Sequence, residues 1–335
     1  MIFGKKIVGI DIGTASIKVV ELSRFGSSKK LENYGELKSS FIGNSETGKI
    51  DVEVIGQAIK SILNEANIKT KRAIFSIPDF STFCTSFDIP AMTEKEIAGA
   101  ISYNASQYIT LPISEVTLDW QVTPDPSTLP KIATKEKSLL KVFLVAVPNQ
   151  LVQDYKAIAK AAGLDLRAIE AEVFGISRAL IKDNRKTVCL VDIGAKTSTI
   201  NIVDKITLEK SYSFNFGSSV FTDPLLLKEG FNSQKKETVE TLTGLLSPLL
   251  NEIKNISAEF LQKNQRGIEE YYLTGGVANM PGLKEYFAKT LGKSASIPNC
   301  FSGIAYPKVL GKTLEQTSPS FSAAVGVALG GLDNI

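Results

Sequence analysis

GIDIGTASIK (Gly9–Lys18) reads as the end of a buried strand, a turn of small residues, and a returning strand that carries a hydroxyl and a lysine. The longer stretch IVGIDIGTASIKVV (Ile7–Val20) recurs as VCLVDIGAKTSTINIV (Val188–Val203). Asp11 falls over Asp192, Gly13 over Gly194 and Ser16 over Thr197 at one constant offset. Each copy predicts a hairpin: an apolar strand, a tight glycine turn, and a second β-rich strand. A single Asp-Ile-Gly is an ordinary turn, because Asp and Gly are common turn formers. Duplication of the whole pattern argues instead for two domains of similar core facing each other across a cleft.

The same residues suggest a chemistry. A glycine turn lets the backbone N–H groups of Gly13, Thr14 and Ala15 converge, and convergent amides favour an anion. Lys18 can lay its ammonium against the same anion. Asp11 is too close to bind phosphate and is better placed to orient water on a Mg²⁺ ion. The second copy repeats this with Asp192 and the amides of Gly194 and Ala195. Two opposed cradles can clamp a triphosphate. YYLTGGVANMPGL (Tyr271–Leu283) predicts a strand ending in Gly275–Gly276, with a helix starting near Pro281. Bare backbone there suits an adenine or ribose.

Composition excludes several alternatives. The chain has 335 residues, 43% of them hydrophobic, enough for two packed domains. Thirty-eight basic against 35 acidic residues leave a formal charge of +3, too little to indicate nucleic acid or a membrane surface as a partner. The sequence contains no histidine, so Ser-His-Asp and Cys-His catalysis are excluded, and three widely spaced cysteines cannot form the usual zinc sites. No apolar run approaches the ~20 residues of a membrane-spanning helix, and MIFGKK is too short before the first strand to act as a signal peptide. The expectation is a soluble, cytoplasmic protein. GNSETGKI (Gly43–Ile50) mimics a P-loop but places Ile50 where Ser or Thr would hold Mg²⁺, and reads as a polar turn.

Between the two hairpins, spacing predicts a third strand (Leu31–Ile42), a helix (Val52–Ala66) behind an Asp51 cap, and a strand (Ala73–Pro78). A helix with a Thr93–Glu96 capping box follows over Thr93–Ile109. Strands Glu115–Thr123 and Leu139–Val147 flank an exposed polar loop, and a helix over Leu151–Gly163 stops at its glycine. Residues 79–163 thus read as an inserted βαββα module. SFSAAVGVALGGL (Ser320–Leu332) is small and apolar, and predicts a buried helix rather than a membrane anchor.

The order DIGTASIK, AEVFGISRAL, VDIGAKTSTI, LTGGVANMPGL and a small-residue C-terminal helix resembles the actin, Hsp70 and sugar-kinase superfamily. IPAMTEKEIAGAISYNASQYITLPISEVTLDWQV, VAVPNQLVQDYKAIAKAAGLDLRAIEAEVFGISRAL and EYYLTGGVANMPGLKEYFAKTLG are similar to the type IV pilus assembly protein PilM family almost end to end. The sister cell-division family FtsA shares the insert but usually ends in an amphipathic tail that this chain lacks.

The resemblance implies an α/β, actin-like (ribonuclease H-like) fold of two duplicated domains, 1–185 and 186–335, with an FtsA-type insert at about 79–163. It also implies a small lid-like subdomain at about 216–267 and a C-terminal helix, about 320–332, returning to the first domain. It implies ATP binding, with Mg expected on Asp11 and Asp192, and a cytoplasmic adaptor role at the inner membrane, peripheral to it through partners; the missing histidine and the unusual second motif add the expectation of weak ATP hydrolysis or none. Those partners are the N-terminal tail of a PilN-like membrane protein, the pilus assembly platform and its motor ATPases, with a homo-oligomer as a further possibility.

By motif, Asp11, Gly13, Thr14 and Lys18 match the first phosphate motif; Asp192, Gly194, Lys196 and Thr197 the second; and Gly275, Gly276 and Val277 the adenosine motif. Glu172 stands where actin-like ATPases position the attacking water, which with Asp192 gives the catalytic candidates, and Glu252 is assigned to the ribose. Lys196–Thr197 replaces the two small hydroxyl residues common in relatives, and FNFGSSVFTDPLL (Phe214–Leu226) is looser than their double-glycine turn. Both departures weaken the case for hydrolysis more than for binding. An FtsA-like polymerising scaffold and a small-molecule kinase are the competing readings.

The insert also holds more rings than a module of its length needs for a core: Phe80, Phe83, Phe87, Tyr103, Tyr108 and Trp120. Part of this cluster is expected to line a groove for an extended tail.

Overall fold

The computed structural model describes residues 5–38, 50–124, 139–183, 185–205 and 207–334. The P-loop mimic up to Lys49 and the polar loop over 125–138 lie outside the described residues. β1 (Lys5–Ile12) is buried from Ile7 onward and pairs antiparallel with β2 (Ser16–Phe25), which pairs with β3 (Ser28–Lys38). α1 (Val52–Glu65) starts where the Asp51 carboxylate accepts the Val54 N–H at 3.1 Å, as its cap predicts. It leads into β4 (Arg72–Ile77), parallel to β1 on the other side.

Here the chain leaves the sheet. β5 (Phe83–Pro90), α2 (Glu94–Ala105), β6 (Val116–Pro124) and β7 (Leu139–Pro148) form a separate antiparallel sheet in the order β5-β7-β6. Its core is its own, with Phe87, Ile89, Ile101, Val142 and Leu144 buried together, and the Thr93–Glu96 capping box is present. α3 (Asn149–Ala161), expected in the insert, is not part of that core. Its Tyr155, Ile158 and Ala159 pack with Val8, Ile10, Ile59 and Phe75 of the first domain. The spacing gave α3 an apolar face but not the sheet that face covers. β8 (Asp165–Ala171) then extends the first sheet in parallel beyond β4, and α4 (Glu172–Leu180) follows at once.

The second domain repeats the plan. β9 (Thr187–Ile193), β10 (Ser198–Asp204) and β11 (Thr207–Phe214) form the antiparallel hairpins; α5 (Pro224–Glu229) and α6 (Lys236–Asn264) precede β12 (Glu270–Gly275); and α7 (Leu283–Leu291) precedes β13 (Ser294–Ser296). The order β11-β10-β9-β12-β13 is the order β3-β2-β1-β4-β8 over again, with parallel partners at the same places. The sequence repeat is therefore a repeat of whole sheets.

The expected small subdomain has no separate core among the described residues. The buried face of α6, from Leu242 to Phe260, packs with Val191, Ile200 and Leu273 on the second domain's own sheet. β14 (Ile304–Ala305) crosses back to pair with β3, and α8 (Gly311–Asn334) lies on the first domain. α8 packs so closely on α4 that a side chain at Gly326 would meet the carbonyl oxygen of Gly175. Ser320–Leu332 is buried almost throughout, as its composition predicts, and the helix begins a full turn and more before it.

Candidate functional site

Both hairpin turns point into one cleft of about 500 Å³ between the domains. Asp11, Gly13, Thr14, Ala15 and Lys18 line one wall, Asp192, Gly194, Ala195 and Thr197 another, with Glu172 at the start of α4 and Gly275–Gly276 at the end of β12. Three predicted residues do not reach it. Lys196 is exposed and is not among the residues that line the cleft, Glu252 sits on α6, and Val277 is buried in the second domain's core. A motif fixes positions along a loop; which way each side chain leaves the loop depends on what packs beneath it.

The turns are tighter than a free amide cradle. Gly13 N–H donates to Ser16 O and Gly194 N–H donates to Thr197 O, each at 3.0 Å. These two amides close the hairpins and are not available to an anion, contrary to the sequence reading. Among the described residues the amides of Thr14, Ala15 and Ala195 have no protein acceptor and remain for one. Ser218 N–H and Ser219 N–H donate to the carbonyls of Gly194 and Ala195 at 2.8 and 2.9 Å, so the looser Phe214–Leu226 segment closes over the second turn.

The acids sit together. Asp11 accepts from the Ser76 hydroxyl at 2.8 Å and from Lys18 Nζ at 3.2 Å. Glu172 is half-buried, and burial first, then the charges of Asp11, Asp79 and Asp192, hold its carboxyl well above the usual range. Asp192 is pushed up to about 7 by burial and then by Asp11, with Lys18 opposing. Burial alone would lower the Lys18 ammonium, but Asp11, and more remotely Glu36 and Asp192, outweigh it and raise its pKa. One cation thus faces several carboxyls, a balance that an added divalent ion would relieve. Among the described residues no three His, Cys, Asp or Glu side chains converge to grip a metal directly. Asp11 and Asp192, at the ends of β1 and β9, suit a hard cation held through its waters.

Gly275 adopts φ +91°, and a side chain there would stand 2.6 Å from Asp192 Oδ1. Gly276 has open space where a Cβ would be. The adjoining Thr274 hydroxyl donates to the Pro319 carbonyl at 2.7 Å, tying β12 to α8 across the cleft floor.

Two contributors escaped the sequence reading. Ser76 is one. The other is Asp79, buried, whose carboxylate accepts from Val173 N–H at 3.0 Å and from Asn201 Nδ2 at 3.1 Å. Burial pushes its pKa up to about 6 against those bonds. Their partners lie far off in the chain, so no local pattern marks them.

Beside the cleft runs a second cavity, a largely apolar groove of about 1010 Å³ between the first domain and the insert. Phe80 and Phe83 line it with Val54, Leu111, Leu151 and Ile158, and Asp51, Asp154 and Gln150 add polar groups. Of the predicted ring cluster, these two alone are in the groove. Phe87 is in the insert's core, stacked on Tyr108 at 5.5 Å, and Tyr103 and Trp120 are exposed elsewhere.

A family model described as Type IV pilus assembly protein PilM matches residues 9–332. A solved PilM-PilN type IV pilus biogenesis complex contains a chain 21% identical to this one, covering 97% of this chain and 98% of its own, with a TM-score of 0.78. The ethanolamine utilization protein EutJ from Carboxydothermus hydrogenoformans is 16% identical over 97% of this chain and 89% of its own, with a TM-score of 0.52. At these identities the likeness is one of fold. No helix among the described residues is long and apolar enough to cross a membrane.

Proposed function

We propose a function for this chain from its family: it belongs to the type IV pilus assembly protein PilM family. In this reading it is an ATP-binding actin-like adaptor of the inner-membrane pilus platform. Mg-ATP occupies the cleft, its phosphates against the amides of Thr14, Ala15 and Ala195 and the Lys18 ammonium, its cation on the waters of Asp11 and Asp192, and its base over Gly276. The bound cation would supply charge neutralisation at the phosphates. The groove takes the N-terminal tail of a PilN-like membrane protein, and contact with the membrane and the motor ATPases runs through such partners.

The observation that carries the adaptor role is the groove. It is large, mostly apolar and lined by Phe80 and Phe83, with the carboxyl groups of Asp51 and Asp154 among its lining. That combination suits an extended peptide with apolar side chains and a basic one, more than a small polar substrate. Binding rather than turnover is the expected use of the cleft. For Glu172, the candidate for positioning water, burial and the neighbouring carboxylates favour the neutral acid over the carboxylate that would accept a proton.

The test is a comparison of activities on the full chain. A synthetic peptide of the PilN-like tail should bind by calorimetry at micromolar affinity or better. Sugars should not be phosphorylated, and multiple-turnover ATP hydrolysis should be slow or undetectable. Brisk ATPase activity with no peptide binding would overturn the adaptor reading.

A further inference from the structure

The cleft and the groove are neighbours with a common wall. Gly13, Thr14, Pro78 and Phe80 line both. Phe80 belongs to a single helical turn, Asp79–Ser81, that connects β4 to the insert. Phe80 is 46% exposed and lines both cavities, and Ser81 also lines the groove.

What fixes that turn comes from outside the insert. The position before α4, Ala171, has no side chain able to cap the helix. Asp79 caps it instead, one carboxylate oxygen accepting the Val173 N–H at 3.0 Å beside Glu172 of the cleft. The other oxygen accepts Asn201 Nδ2 at 3.1 Å, and Asn201 is on β10 of the second domain. Thr199, which lines the cleft two residues earlier on β10, accepts from the same Asn201 amide at 3.5 Å. Asn201 is 1% exposed, and its Oδ1 is the one buried side-chain polar atom without a partner among the described residues. A buried amide kept at that cost indicates a contact whose geometry matters.

We propose that Asp79 is a positioning residue that couples the two sites: through Asn201 and Val173 it senses how the second domain and α4 stand around the cleft, and through Phe80 it sets the width of the groove. Ligand in the cleft and peptide in the groove then change each other's affinity, by linkage to the same degree in both directions. This rests on the functional reading above, and adds to it a direction of control that neither cavity alone implies.

Asn201 lines neither cavity, which makes it the discriminating site. Affinity of the full chain for the synthetic tail peptide is measured by calorimetry with and without saturating Mg-ATP. The wild type is expected to show a difference of about fivefold or more. Asn201→Ala is expected to bring the two values within about twofold of each other while still binding each ligand. Should Asn201→Ala melt before the assay temperature, Asn201→Ser, too short to span to Asp79, takes its place. Asp79→Asn, which retains an acceptor for Val173 and offers an amide to the orphan Asn201 oxygen, should keep the coupling that Asp79→Ala loses. Equal peptide affinities in the wild type with and without nucleotide, both ligands binding, would overturn the coupling and leave the functional reading intact. So would undiminished coupling in the Asn201 variant. A wild type that takes no nucleotide or no peptide overturns the functional reading and this inference with it.

Discussion

Two adjacent glycines separate what the fold needs from what a ligand needs. Gly275 is held at φ +91° with Asp192 and the Ile193 carbonyl against it, so Gly275→Ala should destabilise the protein by about 1–3 kcal/mol as well as disturb the cleft. Gly276 has neither constraint, and its missing side chain serves only the open space above it. Gly276→Val is therefore expected to leave the melting temperature within a degree or two while cutting Mg-ATP affinity at least tenfold. An affinity unchanged by titration calorimetry would place the base elsewhere. Asp11 and Lys18 cannot be separated so cleanly. They face each other across the first hairpin and are both largely buried, so removing either leaves the other uncompensated. Asp11→Ala and Lys18→Ala should each weaken nucleotide binding by about 1–3 kcal/mol and lower stability too. Comparing each variant's binding with its melting curve apportions the loss.

Elements show how far the sequence could be read. The hairpins were legible because strand alternation and turn glycines are local properties, and their repetition gave the two-domain plan. The insert's sheet was legible from the same signals, with its capping box. Helical spacing reports a buried face and not its partner, so the sequence places α3 in the insert and α6 in a subdomain of its own, whereas each packs on the sheet of its own domain. Ser76 and Asp79 were missed because their partners lie 65 and 94 residues away in sequence. The corrected boundary changes an experiment. Deleting 79–163 would strip Tyr155, Ile158 and Ala159 from the first domain's core, at about 2–4 kcal/mol for each large side chain, and should unfold a protein of ordinary stability. Phe83 and Ala146, however, are paired across β5 and β7, so their chain neighbours Thr82 and Val147 lie close enough to join with a few glycines. Excising 83–146 in that way keeps the Asp79 turn and α3. The shortened protein should still melt cooperatively and bind Mg-ATP, with peptide binding lost. Retained peptide binding would mean that the tail is held by the wall the excision keeps, with Asp51, Phe80, Leu151 and Asp154, and not by the insert.

At the scale of the whole molecule the absence of histidine becomes an experimental advantage. No imidazole titrates in this chain, and burial pushes the thiols of Cys84 and Cys300 up to about 12 and that of Cys189 higher still. Side-chain titration between pH 5 and 8 is left to carboxyls shifted upward, and three of these stand between the domains: Asp79 at about 6, Asp192 at about 7, and Glu172 well above its ordinary value. In each case burial is the leading cause. A folded pKa above the unfolded one means that the native state holds its proton more tightly. The stabilisation is complete below the ordinary carboxyl range and is lost as pH rises through about 6 for Asp79 and about 7 for Asp192. The unliganded protein is accordingly expected to be less stable at pH 8 than at pH 6, by about 1–3 kcal/mol, or a melting temperature lower by about 1–4 °C. Asp192→Asn should remove much of that slope and raise the melting temperature at pH 8, since a neutral amide there does not oppose Asp11. Mg-ATP should flatten the slope in the wild type, because a cation between the carboxyls stabilises their charged forms, and it should have little such effect on Asp192→Asn. Thermal melts across pH 6–8 with and without Mg-ATP check all three. A wild-type profile that rises toward pH 8 would mean that these carboxyls are not held together in the folded cleft.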